Sequence, residues 1–257
     1  MIKTKSFEDG IVICGSFPEQ DVLDEINKYI NGNKLSLVIA DPPYGNIVSN
    51  DWDQVGDDDK KFASWMINWT KCLEDICAPN SALYVWGGVG KPSFRPFYRY
   101  LVDVEHDTNY KLANHITWSK KRAYGVQHNY LFTREELAYL ILGEDIKKPK
   151  MFNVPLLETK RGYSGYDEKY PAKSEFFRRT NVWTDITEIF RGKFHVNQKP
   201  EKLYEIPIEI HTTSNEIVLD PFAGSGTCAR AARNLNRRFI LVEQNEEYFD
   251  KIVETLK

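Results

Sequence analysis

The chain contains no Cys-x-x-Cys pair: its four cysteines, Cys14, Cys72, Cys77 and Cys228, are scattered over 257 residues. That spacing predicts reduced core or near-core thiols in a cytoplasmic protein. No apolar run is long enough to span a bilayer, and the opening MIKTKSFEDG lacks the apolar centre of a signal peptide, so no membrane association is expected. A formal net charge of −3 offers no overall attraction to a polyanion, and any surface for nucleic acid must be a local patch. Internal repeats and low-complexity tracts are missing too. What remains is an ordinary globular composition, rich in Trp, Tyr and Phe. The length suits one full α/β core with an insertion, or two small domains.

Apolar patterning divides the chain into alternating elements. IVICG (11–15) reads as a short buried strand, followed by a helix with Val22, Ile26, Tyr29 and Ile30 on one face. LSLVIAD (35–41) is the next strand. SNDWDQVGDDDKK is polar and Gly-broken, and its Asp cluster reads as a solvated loop. From Phe62 a helix places Phe62, Trp65, Met66, Trp69, Leu73 and Ile76 at helical spacing, a pattern expected of core rather than of a ligand site. APNS turns into the strand ALYVWGG, a polar helix follows, and HITWSK and LAYLILG (137–143) read as further strands. NEIVLDPF and RRFILVE are buried strands flanking a helix over Thr227–Asn236, and a last helix packs Tyr248, Phe249, Ile252, Val253 and Leu256. Such alternation predicts a doubly wound, mostly parallel α/β sheet. Residues 144–194 break the pattern: they carry Gly, Pro and aromatics without a sustained period, and 11 basic residues against 8 acidic. They are expected to form an inserted, loop-rich recognition segment between a first half (1–143) and a second half (195–257) of one domain.

Two stretches carry chemistry. The strand at 35 delivers Asp41-Pro42-Pro43-Tyr44 to its carboxyl end. In LDPFAGSGT (219–227) a strand ends at Asp220, and Gly224 and Gly226 permit a tight turn before a helix opens at Thr227. Glu243, nineteen residues beyond Gly224 and at the end of the next strand, is placed to bind ribose hydroxyls. The third glycine of the dinucleotide fingerprint is replaced by Ala229, which favours a nucleoside without a pyrophosphate over NAD.

Together these features resemble the S-adenosylmethionine-dependent amino-methyltransferases of DNA. The catalytic motif precedes the cofactor motif, the circularly permuted order of the β group, common in restriction-modification enzymes. HVNQKP (195–200) resembles that group's H-x-T-Q-K-P signature, with Asn197 in place of Thr. The resemblance spans nearly the whole chain and is least binding over 144–194. It implies a Rossmann-like class I methyltransferase fold. It assigns Asp41, Pro42, Pro43 and Tyr44 to catalysis. To S-adenosylmethionine it assigns Gly15, Asp41, Asn197, Gln198, Lys199 and Pro200, together with Asp220, Phe222, Gly224, Ser225, Gly226, Thr227 and Glu243.

Asp41 carboxylate and the Pro42 carbonyl are the expected acceptors for the two N–H bonds of an adenine amino group, whose delocalised lone pair makes it a poor nucleophile. The prolines hold that carbonyl in place, and Tyr44 stacks on a base flipped from the duplex. No metal is required. For double-stranded DNA, the expected contacts are Trp118 with Lys120, Lys121 and Arg122, and Arg161, Arg178 and Arg179 in the inserted segment. Trp118 reads equally as a packing residue. Two departures stand out: Gly15 occupies the place of an Asp that contacts the cofactor adenine in β-group enzymes, and Pro207 should kink the helix after NQKP. The acceptor expected is adenine N6, because of Asp41. Cytosine N4, a non-catalytic binding subunit of the same fold and an RNA substrate stay open. Cysteine-based C5 chemistry is unsupported, as no Pro-Cys dipeptide occurs. A bacterial or phage-infected cytoplasm, a companion restriction endonuclease and a homodimer complete the expectation.

Overall fold

The computed structural model describes residues 2–43, 59–88, 94–125, 127–128, 130–162, 174–189 and 198–257. Tyr44, the Asp-rich loop up to residue 58, and His195 with Asn197 lie outside them.

Nine strands form the main sheet: β1 (Lys3–Ser6), β2 (Gly10–Cys14), β3 (Leu35–Ala40), β4 (Cys77–Gly87), β5 (Tyr110–Tyr124), β6 (Phe132–Leu142), β9 (Val182–Trp183), β10 (Ile217–Asp220) and β11 (Arg238–Glu243). Their order is β1-β2-β11-β10-β3-β4-β6-β5-β9. β2, β11, β10, β3 and β4 run parallel, as does β9 beside β5, whereas the β1–β2, β4–β6 and β6–β5 pairings are antiparallel. A separate two-stranded hairpin pairs β7 (Leu156–Lys160) with β8 (Phe176–Arg178).

Helices cover both faces, which is why β3 is apolar without alternation. Leu35, Val38 and Ala40 pack in the layer of α1 (Gln20–Ile30), α2 (Asp59–Glu74) and α3 (Phe94–Asp107). Leu37 and Ile39 point the other way, into the layer of α4 (Lys202–His211), α5 (Thr227–Asn234) and α6 (Glu246–Thr255). The doubly wound expectation therefore holds. α1 ends where Asn31 and Gly32 turn left-handed (φ 48 and 78).

Several expectations need correction. The helix before β5 is amphipathic rather than polar: Phe97, Tyr100 and Val104 are buried. The helical period runs through FRPFYRYLVDV, but its interspersed charges mask it. The APNS turn is an irregularity inside β4, with Asn80 at φ 61, rather than a break before the strand. α4 runs unbroken through Pro207. Described parts of 144–194 also reach the core. Lys150 donates to Ser36 Oγ and pairs with Glu216 at 3.0 Å, and Trp183 and Ile186 are buried against the sheet. A two-residue strand carries too little sequence to show a period, so β9 was invisible.

Candidate active site

The parallel run β2-β11-β10-β3 aligns four carboxyl ends. Cys14 pairs with Glu243, Asp220 with Leu241, and Leu219 with Val38. Two motifs about 180 residues apart in the chain therefore meet side by side, at the kind of crevice where open α/β sheets bind ligands. The pocket there is lined by Gly15, Phe17, Asp41, Pro43, Phe222, Gly224 and Glu243 among others.

Glu243 fixes the shape of the pocket. Its Oε2 accepts from the Gly224 N–H and its Oε1 from the Asn245 N–H, each at 2.8 Å. Burial pushes its carboxyl up to about 7, against those two backbone donors, which favour the charge. Gly224 and Gly226 both turn left-handed (φ 53 and 68), and a Cβ on Gly226 would sit 3.0 Å from Ile252 Cγ2. Gly15 brings the end of β2 close to α1: a Cβ there would lie 2.6 Å from Val22 Cγ2. A side chain at that position would have to displace those of Val22 and Ile2.

Aromatic rings form another wall. Phe222 meets Phe17 edge-on at 6.3 Å and packs against Trp65 at 5.7 Å and Trp69 at 5.4 Å. Trp69 is core as expected, but Trp65 lines the pocket, a role its helical stripe could not distinguish. Ser16, Gln244 and Tyr248 also line it without having been anticipated. They simply follow the strands that end there.

Among the described lining residues there are two carboxylates, Asp41 and Glu243, and no Lys or Arg. A pyrophosphate would find no counter-charge in such a site. A nucleoside carrying a positive centre fits it: ribose hydroxyls can donate to Glu243, a purine can lie against the rings, and a cation can face Asp41.

Other residues assigned to the cofactor stand elsewhere. Asp220 is fully buried behind the pocket, its Oδ1 held by the Phe222 N–H at 3.0 Å and its Oδ2 without a partner among the described residues. Burial raises its pKa well above the ordinary carboxylate range, and its bond to the Phe222 N–H shapes the turn. Ser225 and Thr227 share a hydroxyl hydrogen bond at 2.8 Å, and Arg230 clamps both. Pro200 precedes the cap of α4, its carbonyl accepting from the Leu203 N–H, and Gln198 is half-buried outside the pocket lining. Lys199 is buried, with Nζ 2.5 Å from Asp41 Oδ2, 3.3 Å from Glu135 Oε2 and 4.9 Å above the Trp86 ring. Removing one partner from a buried ion pair of this kind costs about 3–5 kcal/mol. Glu135 was not anticipated, although two acids opening an otherwise apolar strand are a visible anomaly in TREELAYLIL.

The residues expected to touch DNA separate into two groups. Trp118 is buried in the core, its indole N–H donating to the Ile186 carbonyl at 2.9 Å. Arg179 is also committed: its guanidinium holds Asp185 through two bonds of 2.8 and 2.7 Å. Lys120 pairs with Glu135. Arg161 is half-buried and donates to the Phe176 carbonyl, while Arg178 is exposed beside Phe152. Lys121 and Arg122 are exposed as well, on the β5–β6 hairpin. Gly87 at the end of β4 pairs with Glu136, so that hairpin continues beyond the carboxyl edge of the sheet, on the side of the pocket. Among the described residues, no cluster of acids, His and Cys could hold a metal ion, and no helix is long and apolar enough to cross a membrane.

Comparison with known proteins gives a consistent result. A family model described as "DNA methylase" matches residues 35–254. The type II methyltransferase M2.LlaDCHI of Lactococcus lactis subsp. cremoris is 28% identical over 234 residues, covering 85% of this chain and 81% of its own. Among solved structures, the M1.HpyAVI–SAM complex aligns at a TM-score of 0.59 with 23% identity, over 96% of this chain and all of its own. The PvuII DNA methyltransferase, titled cytosine-N4-specific, aligns at 0.69 with 15% identity, over 96% and 86%. At these identities the two structures speak for the fold alone, that of the class I methyltransferases.

Proposed function

The chain belongs to the DNA methylase family, and from that premise we propose that it transfers the methyl group of S-adenosylmethionine to the N6 amino group of adenine in double-stranded DNA. The observation that carries this reading is the position of Asp41 at the end of β3, in the same pocket as Gly224 and Glu243. S-adenosylmethionine, when bound, supplies a methyl already activated by its sulfonium. Glu243 holds the ribose, Phe222 and Trp65 lie beside the base, and the pocket's negative character suits the sulfonium.

Asp41 and the Pro42 carbonyl then act on the acceptor. Each accepts one N–H of the amino group, which draws the nitrogen toward a pyramidal geometry and localises its lone pair. The rings of Pro42 and Pro43 limit backbone motion, so little ordering is left for the moment of reaction. Asp41, as an acceptor-only carboxylate, suits an exocyclic amino group, and Asp at this place of the motif, where the cytosine enzymes more often carry Ser, favours adenine. The target must leave the stack to reach the pocket, because its amino nitrogen is inaccessible inside a duplex.

Exposed Lys121, Arg122 and Arg178 support phosphate contacts, and the basic excess of 144–194 supports sequence selection there. The reading extends to a cytoplasmic enzyme of a bacterial or phage-infected cell, with a restriction endonuclease as companion. It also includes self-pairing, for which exposed Phe152, Val154 and Leu156 offer an apolar surface. Mapping modified bases in DNA from a host expressing the protein tests the central proposal. N6-methyladenine at a fixed sequence is expected. N4-methylcytosine would transfer the same chemistry to the other base, and unmodified DNA from a host with folded protein would overturn the assignment.

A further inference from the structure

Four charged side chains line up behind the acceptor carboxylate: Asp41 on Lys199, Lys199 on Glu135, and Glu135 on Lys120. They come from four separate parts of the chain. Lys199 precedes α4, Glu135 opens β6 and Lys120 lies on β5, so only the folded sheet assembles them. Lys199 is 4% exposed, and Trp86 closes one side of its ammonium.

We propose that Lys199 is a positioning residue for the transfer: held from behind by Glu135, it sets its charge opposite Asp41 and fixes how that carboxylate is turned toward the acceptor amino group. This rests on the methyltransferase reading above and assigns to Lys199 a role that its place in a cofactor signature does not suggest.

The acceptor must be ionised to work. Asp41 is half-buried, and protonation would turn one of its oxygens from an acceptor into a donor. Lys199 supplies the opposing charge. Burial pulls the Lys199 ammonium toward neutrality, but Asp41 and Glu135 outweigh burial and hold it above its ordinary value. Burial likewise acts to raise Glu135, and Lys199 with Lys120 reverses the sign and lowers it. Each member of the chain keeps the next one charged. Orientation follows from the same contacts: a lysine fixed at three points leaves its bonded carboxylate few rotamers.

The test compares Lys199→Met, Lys199→Arg and Glu135→Gln with the wild-type protein on the same DNA, each checked for cooperative thermal unfolding. Lys199→Met should lower kcat by roughly 10²-fold, the cost of misplacing a reacting group by about an ångström. KM for S-adenosylmethionine should stay within a few-fold. The acidic limb of its pH–kcat profile should move upward by about one pH unit or more, as expected when a cation beside a carboxylate is lost. Lys199→Arg keeps the charge and should keep the limb in place at reduced kcat. Glu135→Gln should lie between wild type and Lys199→Met in both respects. An unshifted limb with kcat within about twofold of wild type in Lys199→Met would overturn the proposal. If that variant does not fold, an unchanged profile in folded Glu135→Gln does the same. A wild-type protein that methylates no DNA would instead dispose of the function reading itself.

Discussion

Glu243 accepts the backbone N–H of Gly224 at 2.8 Å, and so ties the end of β11 to the turn after β10. The residue expected to grip the ribose is thereby the one that holds the glycine turn in shape. Both carboxylate oxygens keep a second lone pair for a ligand, since each receives only one backbone donor.

That arrangement makes cofactor binding pH-dependent. Burial raises Glu243 to about 7, and only the ionised form accepts hydroxyl hydrogens with both oxygens. S-adenosylmethionine affinity should therefore level off above about pH 8 and fall by about tenfold per unit well below 7. For the ligand-free fold the sign is opposite. A carboxyl whose folded pKa exceeds its ordinary 4.5 costs stability progressively as pH rises from 4.5 through about 7. Calorimetric titration across this range should show the slope in wild type and none in Glu243→Gln. The variant should be weaker by about 1–3 kcal/mol at high pH. Equal wild-type affinity at about pH 6 and 8 would place the ribose elsewhere.

Asp41→Ala should reduce methyl transfer by at least about 10²-fold while leaving S-adenosylmethionine affinity within a few-fold. The carboxylate's main effect is on the acceptor amino group, and Glu243 keeps its contacts to the ribose. Single-turnover assays with saturating cofactor separate the two effects, and near-normal turnover would remove Asp41 from the mechanism.

Two glycines with positive φ allow a controlled comparison. Gly226→Ala meets both an unfavourable backbone (φ 68) and Ile252 Cγ2 at 3.0 Å, whereas Gly32→Ala (φ 78) meets nothing within 4 Å. Each should lose about 1 kcal/mol or more from backbone strain, which lowers Tm by about 2–4 °C. Gly226→Ala should lose more, and it alone should weaken S-adenosylmethionine. Equal effects of the two substitutions on Tm and binding would detach the turn from the cofactor site.

The arginines of the inserted segment should behave differently from one another. Arg179→Gln breaks the bidentate pair with Asp185 and should lower thermal stability without a selective loss of DNA affinity. Arg178→Gln, Lys121→Gln and Arg122→Gln should each reduce the slope of log affinity against log salt by about one, as for a lost phosphate contact. Fluorescence anisotropy at several salt concentrations distinguishes these outcomes. An unchanged slope in all three would move the DNA surface away from both segments.

Local sequence determined the elements whose physics is local. LSLVIA is apolar without alternation because both of its faces are covered, and that pattern is readable from six residues. Asp41-Pro42-Pro43 and Gly224/Gly226 are likewise self-announcing, since stiff prolines and left-handed turns impose their geometry wherever they occur. Glu243 was found by its spacing from Gly224, which reflects the length of one helix and one strand.

Tertiary structure decided what depends on distant partners. Sequence could not tell Trp65 from Trp69, because one helical stripe supplied both and only the edge of the sheet exposes the first. Lys199 sits in a signature associated with the cofactor, yet the fold turns its ammonium toward Asp41, 158 residues away. Arg178 and Arg179 are neighbours of identical chemistry. Asp185 neutralises one and leaves the other exposed, a choice made by how the chain crosses the sheet rather than by the residues themselves. Charge pairing at such separations depends on the fold bringing carboxylate and ammonium within about 4 Å, and no local pattern encodes that distance.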